Sequence, residues 1–157
     1  MGNRDVLVLG LGNTLLADDG VGVHVVRHLA GDPDTPPCLR TLDGGTLGFR
    51  LMDALTRSES VIVVDAAQLR APAGTLRLLD GLALADHVSR GGRMSAHEAG
   101  LVDLLTLARL MGWIPTHLAL LGIQPDRVGW SERLSEPVAR AFPAACRTVV
   151  QTVLDWQ

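Results

Sequence analysis

Residues 5–30, DVLVLGLGNTLLADDGVGVHVVRHLA, decide the fold. The opening DVLVLG is a short apolar run closed by Gly10, the pattern of a buried strand. Val21, Val25, Val26 and Leu29 then recur at helical spacing, which places His24, Arg27 and His28 on the opposite, solvent face. Between strand and helix lies a glycine-bearing loop of the kind that grips phosphate. It carries Asp18 and Asp19, however, where an anion would need positive potential. A dinucleotide fingerprint, G-x-G-x-x-G, uses its third glycine for close helix–sheet packing. That position is Leu15 here, and the helix is expected to start only near Asp19. A nucleotide-binding domain is therefore a minor alternative, helped only by Asp43 near the end of the second strand.

Outward from this unit, strands and helices alternate. CLRTLD (38–43) reads as a second strand and TLGFRLMDAL (46–55) as a second helix. SVIVVDAA (60–67), with its row of β-branched residues, is a central strand. TLRLL (75–79) reads as an edge strand, and the stretch from about Asp80 to Met94 as a loop with little periodicity. SAHEAGLVDLLTLARLMG (95–112) is a helix with Gly112 at its C′ position, and HLALLGI (117–123) is another strand. SEPVARAFPAACRTVVQTVLDW (135–156) closes the chain as a helix, with Pro137 in the first turn and a kink expected at Pro143. Such alternation implies a mostly parallel sheet covered on both faces, in a single domain spanning residues 1–157.

Composition narrows the chemistry. The 157 residues are 47% hydrophobic and 20% charged, a balance that supports a full core. No apolar run is long enough to cross a bilayer, and no secretory pattern is visible, so a cytoplasmic protein is expected. All 14 basic residues are Arg, which removes a P-loop lysine and Schiff-base chemistry. With a formal charge of -3 and scattered Arg, a nucleic-acid face is not expected. Cys38 and Cys146 lack metal-site spacing and read as idle thiols. Carboxylates, five His and the backbone are left to do the work.

In parallel sheets ligands collect beyond the carboxyl ends of the strands. Asp18 and Asp19 follow the first strand, Asp65 ends the third, and His97 opens the helix after the long loop. Two carboxylates and an imidazole converging there suit a divalent cation with open coordination positions, or hydrolysis by positioned acids. Ser95-x-x-Glu98 matches a capping box that puts His97 in the first helical turn, where the helix dipole favours neutral imidazole. Each residue also has a plainer explanation. Asp18 or Asp19 can be a helix cap, with a capping-scale effect of roughly 1 kcal/mol on stability. Asp65 can cap a turn. His24 and His28 have i, i+4 spacing but no third ligand, and His87 and His117 have no identifiable partner.

Five motifs in register, VLVLGLGNTLLADDGVGVHVV, LDGGTLG, VVDAA, SAHEAGL and LLGIQP, run over nearly the whole chain. Together they resemble the hydrogenase maturation endopeptidases, which process the large subunit of nickel-iron hydrogenases. The resemblance implies an α/β fold, three-layer α/β/α, with a five-stranded, mostly parallel mixed sheet and one antiparallel strand. It implies a peptidase, often labelled aspartic-type, that removes a C-terminal extension from the nickel-loaded precursor. By the same resemblance Asp19, Asp65 and His97 are both the catalytic and the metal-binding residues. The first of these is often Glu in the family, so Asp19 reaches one methylene less far. Asp43, Gly44, Gly45 and Thr46 fall where the family's glycine pair borders the substrate cleft. Nickel is expected to arrive with the precursor, other divalent cations substituting, and the enzyme to be a monomer. The rival reading from another class is a nickel or precursor-binding chaperone that never cuts.

Overall fold

In the computed structural model, which describes residues 5–45, 50–89 and 95–157, five apolar segments pair as strands. They are Val6–Leu11 (β1), Leu39–Gly45 (β2), Ser60–Ala66 (β3), Leu76–Leu79 (β4) and His117–Ile123 (β5). The sheet order is β2-β1-β3-β5-β4, with β1, β2, β3 and β5 parallel and β4 antiparallel to β5. Every residue of β1 and β3 is buried, which is why both read as continuous apolar runs rather than as an alternation. The helices are Val21–Gly31 (α1), Arg50–Thr56 (α2), Gly81–Ser89 (α3), Glu98–Leu110 (α4) and Glu136–Asp155 (α5). Thr46 and the side chain of His87, both singled out from the sequence, lie outside the described residues.

The period-2 geometry of the central strands sends alternate side chains to opposite faces. Val6, Val8, Ile62, Val64, Leu121 and Ile123 pack against the apolar stripes of α1 and α5. Leu7, Leu9, Val61, Val63 and Leu120 face α2 and α4, joined by Leu84 of α3. The result is the expected three-layer α/β/α arrangement. The close helix–sheet contact that a fingerprint glycine would supply is made instead by Gly22, inside α1. A Cβ there would overlap the carbonyl oxygens of Val64 and Leu11. Gly112 at φ +90° closes α4 as expected. Its N–H donates to Arg109 O at 2.9 Å, and that of Trp113 to Ala108 O at 3.0 Å.

One local expectation fails. From Gly81 to Ser89 the expected loop is instead helix α3, capped by Asp80 Oδ1, which accepts the Ala83 N–H at 3.2 Å, while residues 90–94 of that stretch lie outside the described residues. Leu82 is 88% exposed while Leu84 is buried, so the segment shows too few apolar anchors for its period to be read. As expected, residues 136–155 form one helix that runs through Pro143, with an apolar face that continues on both sides of the proline.

The chain leaves β1 for β2 on one side and reaches β3 on the other. The crevice beyond the carboxyl ends of β1 and β3 is therefore the topological switch point, where such sheets bind ligands.

Candidate active site

Ala17–Gly20 form a 3-10 turn between β1 and α1, and its two acids go separate ways. Asp18 is fully buried. Its Oδ2 accepts the N–H groups of Asp126 and Arg127, both at 2.9 Å, and the Ser135 hydroxyl at 2.7 Å. Its Oδ1 accepts the Ser135 N–H at 2.7 Å. Burial pushes the pKa of this carboxyl up, but the hydrogen bonds from Arg127, Ser135 and Asp126 outweigh it and hold it below the usual range. The expectation of a simple helix cap is corrected: Asp18 is a tertiary fastening between the turn and the start of α5.

Asp19 turns toward the crevice. Its Oδ2 accepts the Asn13 N–H at 2.9 Å and stands 3.6 Å from His97 Nε2. From the neighbouring strand, Asp65 presents Oδ1 and Oδ2 to His97 Nδ1 at 3.2 and 3.3 Å. The Ser95 hydroxyl donates to Asp65 Oδ2 and accepts the His97 N–H at 3.1 Å. Glu98 accepts the Ser95 N–H at 3.4 Å, but the expected capping box is only half made: His97 itself is the N-cap of α4, just ahead of the first helical turn. The structure thus brings Asp19, Asp65 and His97 together from three separate segments, with the imidazole between two carboxylates. Ser95 is the polar partner that the sequence signalled only as a cap.

This placement reverses the expected direction of the His97 pKa shift. Its hydrogen bond to Asp65 raises its pKa, burial opposes the rise, and the charges of Asp65 and Asp19 reinforce it. Two carboxylates at contact distance outweigh the partial charge of a helix end. Burial raises the pKa of Asp65, the His97 and Ser95 hydrogen bonds pull it back without cancelling the effect, and the Asp19 charge adds to it. Both shifts favour the protonated form of the group concerned.

Among the described residues, no three His, Cys, Asp or Glu side chains are arranged to hold a metal ion by themselves. The donor pair Asp19 Oδ2 and His97 Nε2 nevertheless fits two corners of a coordination shell. Two ligands with bonds of about 2.1 Å stand roughly 3.0–3.5 Å apart, close to the 3.6 Å found here. Asp65 meanwhile engages Nδ1, the arrangement by which a carboxylate fixes the orientation of a ligating histidine.

The remaining candidates lie elsewhere. Asp43 Oδ2 pairs with Arg27 Nη2 at 2.9 Å, while Oδ1 accepts the Gly45 N–H at 3.0 Å. Gly45 O accepts the Gly12 N–H at 2.9 Å, so Asp43 shapes the β2 end where it borders the loop. His28 is exposed and lies 4.0 Å from Asp32. His24 departs from the expected solvent face: it is half-buried, and its Nε2 has no hydrogen-bond partner among the described residues. Burial and the Arg27 charge hold its pKa down. His117 stacks on Trp156 at the other end of the sheet. Cys38 and Cys146 are free and buried, and burial pushes the Cys146 thiol up to about 11.

Comparison with known proteins places this geometry in context. The hydrogenase maturation protease family matches residues 23–152, a span that contains Asp65 and His97 and begins just after Asp19. The hydrogenase expression/formation protein HupD of Rhizobium leguminosarum bv. viciae is 34% identical over 155 residues, covering 96% of this chain and 75% of that protein. The hydrogenase 2 maturation protease of Escherichia coli K12 is 32% identical over 151 residues, covering 90% of each. The solved structure of the hydrogenase maturating endopeptidase HybD from E. coli superposes with a TM-score of 0.85 at 29% identity, over 96% of this chain and 93% of that one. A [NiFe] hydrogenase maturation protease HybD from Thermococcus kodakarensis gives 0.81 at 25% identity, over 95% and 99%.

Proposed function

Since this chain belongs to the hydrogenase maturation protease family, we propose that it removes a C-terminal extension from the nickel-loaded precursor of a nickel-iron hydrogenase large subunit. It is a hydrolase of the peptidase class, a hydrogenase maturation endopeptidase. Neither the chaperone nor the nucleotide alternative gains support from these relatives, and acids occupy the place where a phosphate would sit.

The observation that carries the reading is the Asp19–His97–Asp65 cluster at the switch point. Nickel arriving with the precursor, or a divalent cation in its place, supplies a positive centre that polarises water or the scissile carbonyl. Asp19 and the Nε2 edge of His97 are the groups that meet it. Asp65 stands behind His97 and, with Ser95, fixes the plane of the ring. Proton and cation compete for Nε2, and the raised imidazole pKa makes engagement of the metal stronger as pH rises. Because these two ligands leave most coordination positions open, the metal must come with ligands of its own. That requirement selects loaded over empty precursor. Among the described residues no helix is long and apolar enough to cross a membrane. The reading also has the enzyme act in the cytoplasm as a monomer.

The test is mass spectrometry of a matched large-subunit precursor before and after incubation. Nickel-loaded precursor is expected to lose one C-terminal peptide in a single cut, and nickel-free precursor to stay intact. A stable complex without mass loss would support the chaperone reading instead. Equal cleavage of both precursors would keep the peptidase and discard the role of nickel.

A further inference from the structure

The loop between β1 and α1 and the segment bound to it carry three exposed apolar side chains: Leu15 at 47%, Val128 at 58% and Trp130 at 85%. They belong to two segments bound to each other. Leu16 and Ser131 form a parallel bridge, the Ser131 N–H donates to Leu15 O at 3.0 Å, and the Ala17 N–H donates to Ser131 O at 2.7 Å. In that register Leu15 and Trp130 sit side by side, one step before the bridged pair. The segment bearing Trp130 is fastened on both sides, at Asp126, Arg127 and Ser135 by the buried Asp18 carboxylate and at Ser131 by the bridge.

A tryptophan held out to water on a fastened backbone, with two apolar neighbours, has the composition of a binding hot spot rather than of a scattered surface residue. Little ordering entropy is lost when such a side chain is covered. The same loop contains Asn13, whose N–H holds the Asp19 carboxylate, so one loop carries both Leu15 and a contact to the cluster.

We propose that Leu15, Val128 and Trp130 form the docking rim for the body of the precursor, an apolar concavity of its surface next to the segment to be cut. The inference rests on the proposed function, because a partner that brings a scissile bond and a metal to Asp19 and His97 must cover the ground beside them. One buried tryptophan contributes roughly 150–250 Å², against the ~800 Å² per partner of a stable complex. The rim is accordingly the anchor of the interface and not the whole of it.

The test measures both the Kd of the nickel-loaded precursor by calorimetry and its processing kinetics. Trp130→Ser and Leu15→Ser are expected to raise Kd and KM, roughly tenfold or more for the tryptophan, with kcat retained. Trp130→Phe restores most of the loss. Ile114→Ser serves as control: that residue is 86% exposed but precedes β5, at the opposite end of the sheet. Thermal midpoints should match wild type in all four variants, since these side chains are exposed or half-exposed. Unchanged Kd and KM in Trp130→Ser, while wild type binds and cuts, overturn the rim, as does an equal loss in Ile114→Ser. Binding without cutting by wild type sinks the peptidase reading alone, and Kd then decides the rim. Neither binding nor cutting by wild type overturns both.

Discussion

Asp18 and Asp19 are adjacent, carry the same side chain and are both buried, yet they do opposite work. Asp18 has its oxygens saturated by four donors from one distant segment, and its lowered pKa records a carboxylate completed by the fold. Asp19 takes one backbone donor and faces an imidazole across 3.6 Å, a gap too long for a hydrogen bond and suited to a third party. Burial alone does not mark a functional acid. What separates the two is whether the partners already present use up the acceptor capacity of the group.

The largest effect expected from this contrast is on activity. Asp19→Asn and Asp65→Asn keep nearly the same shape but remove the charge that the cluster offers, so processing should fall by about 10²-fold or more. The thermal midpoint of Asp19→Asn should stay near wild type. If Asp19→Asn processed normally while Asp18→Asn did not, the assignment of the two acids would be inverted.

Next in size is the stability effect at Asp18. An asparagine there must turn an NH2 donor toward N–H groups that are already donors, leaving buried groups unsatisfied. We expect a loss of about 3 kcal/mol or more, a fall in Tm of roughly 6–12 °C for a domain of this size. The pH dependence has a definite sign. A carboxyl whose folded pKa is depressed stabilises the protein above the unfolded value of about 3.9, and that contribution disappears as pH falls through the lower folded pKa. Urea unfolding from pH 6 to pH 2 should show a shallower acid limb in Asp18→Asn than in wild type. Parallel acid limbs would mean that other carboxyls carry the acid sensitivity.

These cases also show which parts of the molecule were legible in the sequence. The strands were, because β1 and β3 are buried on both faces and read as unbroken apolar runs. The α3 helix was not, since it contributes only Leu84 to the described core and its start depends on one cap. Asp19, Asp65 and His97 were legible as strand-end and helix-start residues, a placement that follows from topology. The role of Asp18 was hidden because its donors lie 108 to 117 residues away along the chain. The direction of the His97 pKa shift was hidden for the same reason: the local dipole is visible in sequence, whereas the carboxylates that overrule it arrive from β3 and the first loop.

A smaller effect is expected at Ser95, which stands between the two kinds of acid, since its hydroxyl serves structure and site together. Ser95→Ala removes one donor from Asp65 and one acceptor from the His97 N–H. Processing should drop roughly tenfold, the scale of losing a group that orients a ligand, with a stability loss of about 1 kcal/mol. Ser95→Thr, which keeps the hydroxyl, should recover most of the activity. A stability loss without any change in kcat would reduce Ser95 to a helix cap.

The smallest effect sharpens the comparison with a third carboxylate. Asp43 lies at the end of β2, its Oδ2 in an ion pair with Arg27 whose side chains are 40% and 59% exposed. An exposed pair of this kind contributes about 0–1 kcal/mol, so Arg27→Ala should barely move the Tm. Asp43 Oδ1 still accepts the Gly45 N–H after the substitution, which preserves the turn beside Gly12. Processing should therefore stay within about twofold of wild type, an energy difference near RT. One titration should nevertheless shift. The Arg27 charge is among the causes that lower the His24 pKa, so its removal should move that pKa upward, as read from the ring-proton chemical shifts. A shift at His24 with unchanged processing would show that the α1 histidine and the Arg27–Asp43 pair belong to the scaffold. A large loss of processing would instead mean that the β2 end helps to seat the precursor through its charge. Asp43 would then belong with Asp19 rather than with Asp18.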